Sequence, residues 1–486
     1  YKHYLNINDI LEEKERYFNC ELITQQYTYL GFIIIGNKYI YFGTKYEDQI
    51  DIRDNTIEEI DINYIYKYSF SNRDKENKTI KKKSIITFYH EINCIIKRRS
   101  FLMYQSLEIF HKNGKSFFFN FYRKEKCQQV LDILNTIREN MSISERFNLI
   151  TENTSDEIKK INNEVKNGII NNYEYLLKLN YFSSRTYNVL YQYPVFPWLF
   201  FDLDKIESLF KNDKLIEQFE IINDFNIISE PKIDNEDTNK IENLNLKISN
   251  EDLTEKYKVR NFNYPISLQT EEKIKIYNES KHTQQGTHYS TSSYILYYLQ
   301  RTYPFMELMI QLQNLNKEDP NRLFHSLKSL FKMTAYGSKE NREACPEFFS
   351  NFDFYCNLNC SLLGIKENKN LIDDFIVNDQ DEISGNLFPI YIKLTYIFRK
   401  VLNSFLISEY LPNWIDYIFG VKQIEKNKTS FFIFDKNSYE EKLNLEKKLD
   451  KYIKRYKNNE GITNKEIRRK INIKIDFMNN FGITPH

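Results

Sequence analysis

The chain has 486 residues, more than one ordinary domain holds, so two or three domains are expected. Hydrophobic residues make up 41% and aromatic residues 16%, enough for sizeable cores, while 68 Lys and Arg nearly cancel 67 Asp and Glu. The net charge of +1 argues against a dedicated nucleic-acid binder, which would carry a strongly basic face.

With only 12 Gly, and neither GxGxxG nor GxxxxGKS/T, there is no phosphate-cradling loop to argue from. The six Cys, at 20, 94, 127, 345, 356 and 360, contain no CxxC pair. A structural zinc site wants four ligands in compact paired spacing. No metal or other cofactor is therefore expected, and the thiols read as reduced. The opening YKHYLNINDI carries no signal-peptide pattern and reads as cut from a longer protein. No uncharged run approaches the roughly 20 apolar residues of a membrane span, so a soluble intracellular fragment is expected.

Residues 20–122 read as β structure. YTYLGFIIIGNKYIYFGT places two apolar-aromatic runs around Gly36-Asn37, a two-residue hairpin signal, and SLEIFHKNGKSFFFNF does the same around Asn113-Gly114. Between them lie Ile- and Tyr-rich runs such as IEEIDINYIYKYSF and SIITFYHEINCIIKRR. RKEKCQQVLDILNTIREN then spaces Cys127, Leu131, Leu134 and Ile137 as one helical face. Short strands followed by one amphipathic helix outline a pleckstrin-homology-like (PH-like) β-sandwich with a C-terminal helix.

From about 150 onwards the pattern is helical but broken. STSSYILYYLQR (290–301) begins with Ser/Thr caps, and LTYIFRKVLNSFLISEY (394–410) predicts one amphipathic helix stopping before Pro412. NWIDYIFG (413–420) predicts a separate helix with Asn413 as cap and Gly420 at its C-terminal end. Polar tracts at 211–258, 364–386 and 425–470 read as insertions. The last carries Leu445, Leu449, Tyr452 and Tyr456 as a stripe on a Lys-rich helix, which reads as a packed stripe beneath a solvated face, the alternative being a helix that lies on a membrane or a partner.

QYPVFPWLFFDLD (192–204) is the least regular stretch: Pro194, Pro197 and Trp198 fall within five positions. Proline removes a donor and biases its predecessor to extended backbone, so neither a helix interior nor a central strand fits. Together with GIINNYEYLLKLNYFSSRTYNVLY before it, this stretch resembles the opening signature of the BEACH domain. Further blocks follow in that family's order: RNFNYPIS (260–267), GTHYSTSSYILYYLQRTYPF (286–305), EDPNRLFHSL (318–327), EACPEFFSN (343–351), FRKVLNSFLISEYLPNWIDYIFGVKQ (398–423) and FGITPH (481–486). The β region ahead of it is similar to the PH-like domain that accompanies BEACH, most clearly over 94–121.

The resemblance implies a flank at 1–19, a PH-like domain at 20–142, a linker at 143–165 and a mostly α BEACH domain at 166–486, with an irregular core of extended segments. Buried irregular backbone must find partners outside regular ladders. Polar signature residues thus read as scaffold: Asn172, Glu174, Asn180, Arg185, His288, Arg301, Glu347, Arg399 and Asp416. Tyr193, Pro194, Pro197, Trp198, Tyr289 and Trp414 complete the signature. Departures include Ser183-Ser184-Arg185 where the family usually has Ala-Gly-Arg, and Leu402-Asn403-Ser404 for Leu-Glu-Ser.

The family's members are large scaffolds, usually with WD repeats after BEACH, that act in vesicle trafficking, membrane dynamics and receptor signalling. The resemblance implies PH-like and BEACH domains packed on each other, with a groove for protein or peptide partners. Lys97, Arg98 and Arg99 are placed either in that groove or in an interdomain ion-pair cluster. A phosphoinositide-binding membrane adaptor is the alternative, resting on Lys38 and Lys81–Lys83. The first hairpin carries Lys38 alone, so membrane association is expected to be peripheral and indirect. An enzyme is not expected: the seven His form no HExxH or triad spacing, and Cys345 has no base partner in sequence. A cytoplasmic location peripheral to endomembranes follows, and a weak homodimer is compatible with the sequence.

Overall fold

In a computed structural model of the chain, the described residues are 16–44, 83–100, 103–121, 123–151, 154–200, 259–279, 291–312, 323–324, 330, 333, 342–357, 363, 388–420 and 422. They fall into two units. Unit 1 holds those up to Asp156 together with Tyr187–Val189, and unit 2 holds the rest.

Unit 1 is built on an eight-stranded sheet ordered β4-β3-β2-β1-β7-β6-β5-β8. The strands are β1 Tyr17–Ile23, β2 Thr28–Ile35, β3 Tyr39–Thr44, β4 Ser84–Phe88, β5 Ile92–Ser100, β6 Met103–His111, β7 Ser116–Asn120 and β8 Asn148–Ile150. All pairings are antiparallel except β5 with β8. Alternation sets the inward face: Phe18, Cys20 and Leu22 on β1, Ile33 and Ile35 on β2, Ile40 and Phe42 on β3 are all buried. Helix α1 (Lys124–Glu139) lays Cys127, Val130, Leu131, Leu134 and Ile137 against this core, the spacing that a 3.6-residue period requires.

Both hairpins form, with details the sequence did not specify. In the first, Ile35 faces Ile40 and Gly36 N–H donates to Tyr39 O at 2.9 Å, so the central turn residues are Asn37 and Lys38, not Gly36 and Asn37. Gly36 sits close to a neighbour: a Cβ there would meet the Tyr39 ring at 3.0 Å, so the ring would have to give by a few tenths of an ångström. In the second, His111 N–H donates to Lys115 O and Gly114 sits at φ +84°, a three-residue loop ending on a left-handed glycine. The stretch expected to be a linker, 143–165, is not one throughout. It supplies β8, which pairs Asn148, Leu149 and Ile150 with Cys94, Ile95 and Ile96, and much of helix α2 (Ser155–Lys166).

Unit 2 is helical around an irregular middle. Its further helices are α3 (Asn172–Phe182), α4 (Glu271–Glu279), α5 (Ser292–Leu299), α6 (Phe305–Leu312), α7 (Phe388–Leu402) and α8 (Phe405–Ile418). Thr291 caps α5 by accepting from Tyr294 N–H, as the Ser/Thr run suggested. The single helix expected over 394–410 is instead two. Ser404 breaks it, accepting the Ile407 N–H as N-cap of α8, and a cap of this kind is worth about 1 kcal/mol. The helix then runs through Pro412 to Ile418, so Asn413 caps nothing and the separate 413–420 helix is absorbed. Gly420 follows the C-cap Phe419 without a left-handed φ. Its missing side chain serves a close approach instead, since a Cβ would stand 2.8 Å from Asp416 Cα. The insertions at 211–258, 364–386 and 425–470 lie outside the described residues.

Gly31 tests the packing of the sheet. A Cβ there would stand 2.2 Å from Gly43 O and 2.8 Å from the Phe42 ring, so the strands must part. Gly31→Ala is expected to destabilise unit 1 by about 1–3 kcal/mol, read as a lower urea midpoint with an unchanged slope.

Candidate functional site

Residues 190–200 of unit 2 run through a single short 3-10 turn (Leu190–Gln192) and otherwise irregular backbone, yet Tyr193, Val195, Phe196, Trp198, Leu199 and Phe200 are all buried. Each backbone amide here needs a partner that no ladder supplies. Asn180, on the last turn of α3, brackets Val195: its Nδ2 donates to Val195 O at 3.0 Å and its Oδ1 accepts Val195 N–H at 2.8 Å. Phe196 N–H donates to Ala344 O at 2.9 Å, and Trp198 N–H to Glu343 Oε2 at 2.9 Å. Leu199 O accepts from Arg260 N–H at 2.8 Å.

Glu343 is the hub. Both its oxygens accept from Arg260 Nη1, at 2.7 and 2.8 Å, and both side chains are 1% exposed. Removing one member of such a buried pair costs about 3–5 kcal/mol, because the other is left charged in a dry interior. Arg260 Nη2 also donates to Tyr264 O, and Tyr298 Oη to Glu343 O. Around this polar frame the rings close: Trp198 lies 4.9 Å from Phe348 and 6.1 Å from Phe398, centroid to centroid, and Phe348 lies 5.2 Å from Tyr298.

The structure brings several of the expected scaffold residues into this frame. Tyr193 Oη donates to Glu347 Oε1 at 2.5 Å. Burial pushes the Glu347 carboxyl above its usual range, while the Tyr193 hydrogen bond pulls it back. Pro194 and Pro197 are buried on the same segment. Arg301 donates to Phe324 O at 2.5 Å. Arg185 is 1% exposed, and desolvation lowers its guanidinium pKa to about 9.

A second group joins α3 to α7 and α8. Asn172 Nδ2 donates to Leu402 O at 2.8 Å and to Ser408 Oγ at 2.7 Å, while the Arg399 guanidinium lies 3.2 Å from the Tyr173 ring centroid. Trp414 is buried against Phe419. Glu174 and Asp416 stand apart: Glu174 closes a capping box with Asn171, and half-exposed Asp416 sits 3.8 Å from Lys422. His288 and Tyr289 lie outside the described residues. Neither Glu343 nor Arg260 stands out in the sequence, although both lie in signature blocks, 343–351 and 260–267. A charged pair 83 positions apart leaves no local signal.

Lys97, Arg98 and Arg99 are not surface charges. All three are at most 3% exposed, and each finds a partner within unit 1. Lys97 Nζ donates to Gln128 Oε1 at 3.2 Å, Arg98 Nε to Glu108 Oε2 at 2.8 Å, and Arg99 Nη2 to Tyr104 Oη at 2.9 Å. Glu108 also accepts from Asn188 Nδ2 at 3.0 Å, and the same amide donates to Ser116 Oγ at 2.8 Å. Gln25 Nε2 donates to Tyr187 O at 2.8 Å, so Tyr187 and Asn188 are both tied to unit 1.

Cys345, the thiol without a sequence-level base, is fully buried beside Glu347, and desolvation raises its pKa well above that of a free thiol. A thiol held protonated is a poor nucleophile. No group of His, Cys, Asp and Glu among the described residues could hold a metal ion.

Ser184 gives a direct test. It follows α3 at φ +64°, and its N–H donates to Tyr181 O while Arg185 N–H donates to Asn180 O. This is the left-handed C-terminal cap that favours glycine. Ser184→Gly should therefore stabilise unit 2 by about 1 kcal/mol, seen as a higher denaturation midpoint; a lower midpoint would mean the Ser side chain is needed. Glu347 predicts a pH effect. An acid whose folded pKa is raised holds its proton more tightly when folded, so its contribution is complete below pH 4.5 and is lost as pH rises through the folded value. Glu347→Gln should remove that fall, so the stability difference between variant and parent grows in the variant's favour as pH rises above 4.5.

Two family models match. The model described as PH domain associated with Beige/BEACH covers residues 20–135, and the Beige/BEACH domain model covers 163–222 and 240–486. Among curated relatives, Beige protein homolog 1 of Saccharomyces cerevisiae is 26% identical over 516 aligned positions, spanning 96% of this chain and 21% of its own length. The Lysosomal-trafficking regulator of Drosophila melanogaster is 28% identical over 56% of this chain and 7% of its own. BEACH domain-containing protein lvsD of Dictyostelium discoideum is 26% identical over 73% of this chain and 12% of its own. The chain thus spans about a fifth or less of the length of these relatives. A solved C-terminal domain of an unknown protein from Leishmania infantum aligns with 25% of this chain and 80% of its own at 15% identity, with a TM-score of 0.16, too low to bear on the fold. The chain belongs to the Beige/BEACH family, with the PH domain associated with Beige/BEACH ahead of its BEACH domain.

Proposed function

We propose that this chain is a non-catalytic scaffold module of a larger BEACH protein that binds protein partners in vesicle trafficking and membrane dynamics. The observation that carries this reading is where the reactive-looking side chains go. Asn180, Glu343, Arg260, Tyr193 and Glu347 are spent on the backbone and neighbours of one buried segment, and Cys345 is buried and protonated. Groups so consumed position a fold and offer nothing to a substrate. The printed name of the Drosophila relative, Lysosomal-trafficking regulator, supports the trafficking half. The reading includes the finer architecture: a PH-like sandwich closed by α1, and a BEACH core threaded by extended segments. It also carries forward partner capture by a groove between the two domains, a weak homodimer, and a cytoplasmic location peripheral to endomembranes. No helix among the described residues is long and apolar enough to cross a membrane.

Direct phosphoinositide recognition is the weaker reading. Lys38 stands exposed on the first turn without a basic neighbour on its hairpin. Lys83 places its ammonium 4.9 Å from the Tyr29 ring centroid, and partial burial lowers its pKa. Lys81 and Lys82 lie outside the described residues. A headgroup pocket needs several converging cations, each worth about 1 kcal/mol near an anionic surface.

Liposome co-sedimentation of the full chain across a phosphoinositide panel at physiological salt tests the choice. The expected result is weak binding, equal for all anionic lipids and abolished by added salt. Saturable binding to one headgroup, lost in Lys38→Glu, would replace the scaffold reading with that of a membrane recruiter.

A further inference from the structure

The chain holds two exposed Asn-Gly steps on left-handed glycines, and they differ in one respect. Asn113-Gly114 forms the β6–β7 loop, with Gly114 at φ +84°; Asn167-Gly168 ends α2, with Gly168 at φ +68°. All four residues are exposed, and neither glycine has an atom within 4 Å of where a Cβ would stand. In both steps the glycine N–H is engaged, Gly114 with His111 O at 3.1 Å and Gly168 with Val165 O at 3.2 Å. The difference lies in the asparagine side chain. Asn113 Oδ1 accepts the backbone N–H of Lys115 at 3.1 Å, whereas no donor reaches the Asn167 side chain among the described residues.

We propose that Asn113 is a site of spontaneous modification, converting to aspartate and isoaspartate through a succinimide that the hairpin itself favours. The Gly114 backbone nitrogen gives its proton to hydroxide and attacks Asn113 Cγ, forming the N–Cγ bond. Negative charge gathers on Oδ1, and the Lys115 N–H already pointing there stabilises it, as a preorganised donor does for any tetrahedral oxyanion. The Cγ–Nδ2 bond then breaks as Nδ2 takes a proton from water, so ammonia leaves, hydroxide is regenerated and a five-membered imide remains. Water opens the imide at Cγ to give aspartate, or at the main-chain carbonyl to give isoaspartate. No oxidant or reductant enters. The shared hydrogen bond on each glycine nitrogen slows both steps alike, so the Oδ1 donor is what separates them.

The products act on their surroundings differently. Aspartate places a carboxylate between exposed Lys112 and Lys115 and leaves the backbone intact. Isoaspartate inserts a methylene into the main chain three residues before Ser116, whose hydroxyl accepts from Asn188. It therefore disturbs the anchor that ties Tyr187–Val189 to the sheet.

The test is peptide mapping of the full chain aged at mildly alkaline pH, folded and in urea, with isoaspartate scored by enzymatic carboxyl methylation. Conversion at Asn113 relative to Asn167 should be several-fold higher in the folded chain than in urea, where both steps are unstructured. Asn113→Gln should abolish the signal from that peptide. A ratio that is equal in the two states, or lower when folded, overturns the proposal.

Discussion

Everything in unit 2 depends on keeping an irregular, fully buried segment hydrogen-bonded. A ladder would satisfy residues 193–200 automatically; prolines at 194 and 197 forbid one. The burden passes to side chains that must be in place before the segment can be dehydrated, since an unmet buried amide costs about 1–3 kcal/mol. Asn180 meets a donor and an acceptor of the same residue at once, which a carboxamide does without charge. Glu343 meets Trp198 N–H and carries a charge, so Arg260 must follow it inside. The aromatic cluster adds the apolar free energy, but the polar frame fixes which face of the segment each ring occupies.

The same economy appears in unit 1. Arg98 and Glu108 sit at facing strands β5 and β6, both 1% exposed, where an ion pair is often no more stabilising than apolar packing. Its second use compensates: Glu108 retains an oxygen for Asn188. A basic run that looks like a docking patch in the sequence is buried and bonded within its own unit. Sign and spacing of charge alone do not distinguish the two, because burial of an arginine is decided by a partner far away in sequence.

How much was legible follows from the range of each interaction. The β2–β3 and β6–β7 hairpins and the face of α1 are written in residues a few positions apart, and they were read. The Ser404 cap is hidden in the sequence because the apolar spacing continues across it, and Pro412 reads as a stop although a helix can lose one N–H and go on. The eighth strand leaves no pattern because three residues, Asn148 to Ile150, are too few for any period. The signature blocks located the irregular core, and the resemblance supplied its meaning. The Arg260–Glu343 pair, across 83 positions, was invisible until folded.

Strand β8 has a consequence for where this molecule can be divided. It joins the sheet after α1, in parallel with β5, and covers an edge that would otherwise present unpaired amides at Cys94–Ile96. A polypeptide ending with α1 would contain every strand of the antiparallel set and still leave that edge open, a template for association between chains. During synthesis the first unit likewise stays incomplete until the strand beyond its helix has emerged. The sheet is therefore complete only in a piece longer than the stretch from first strand to helix.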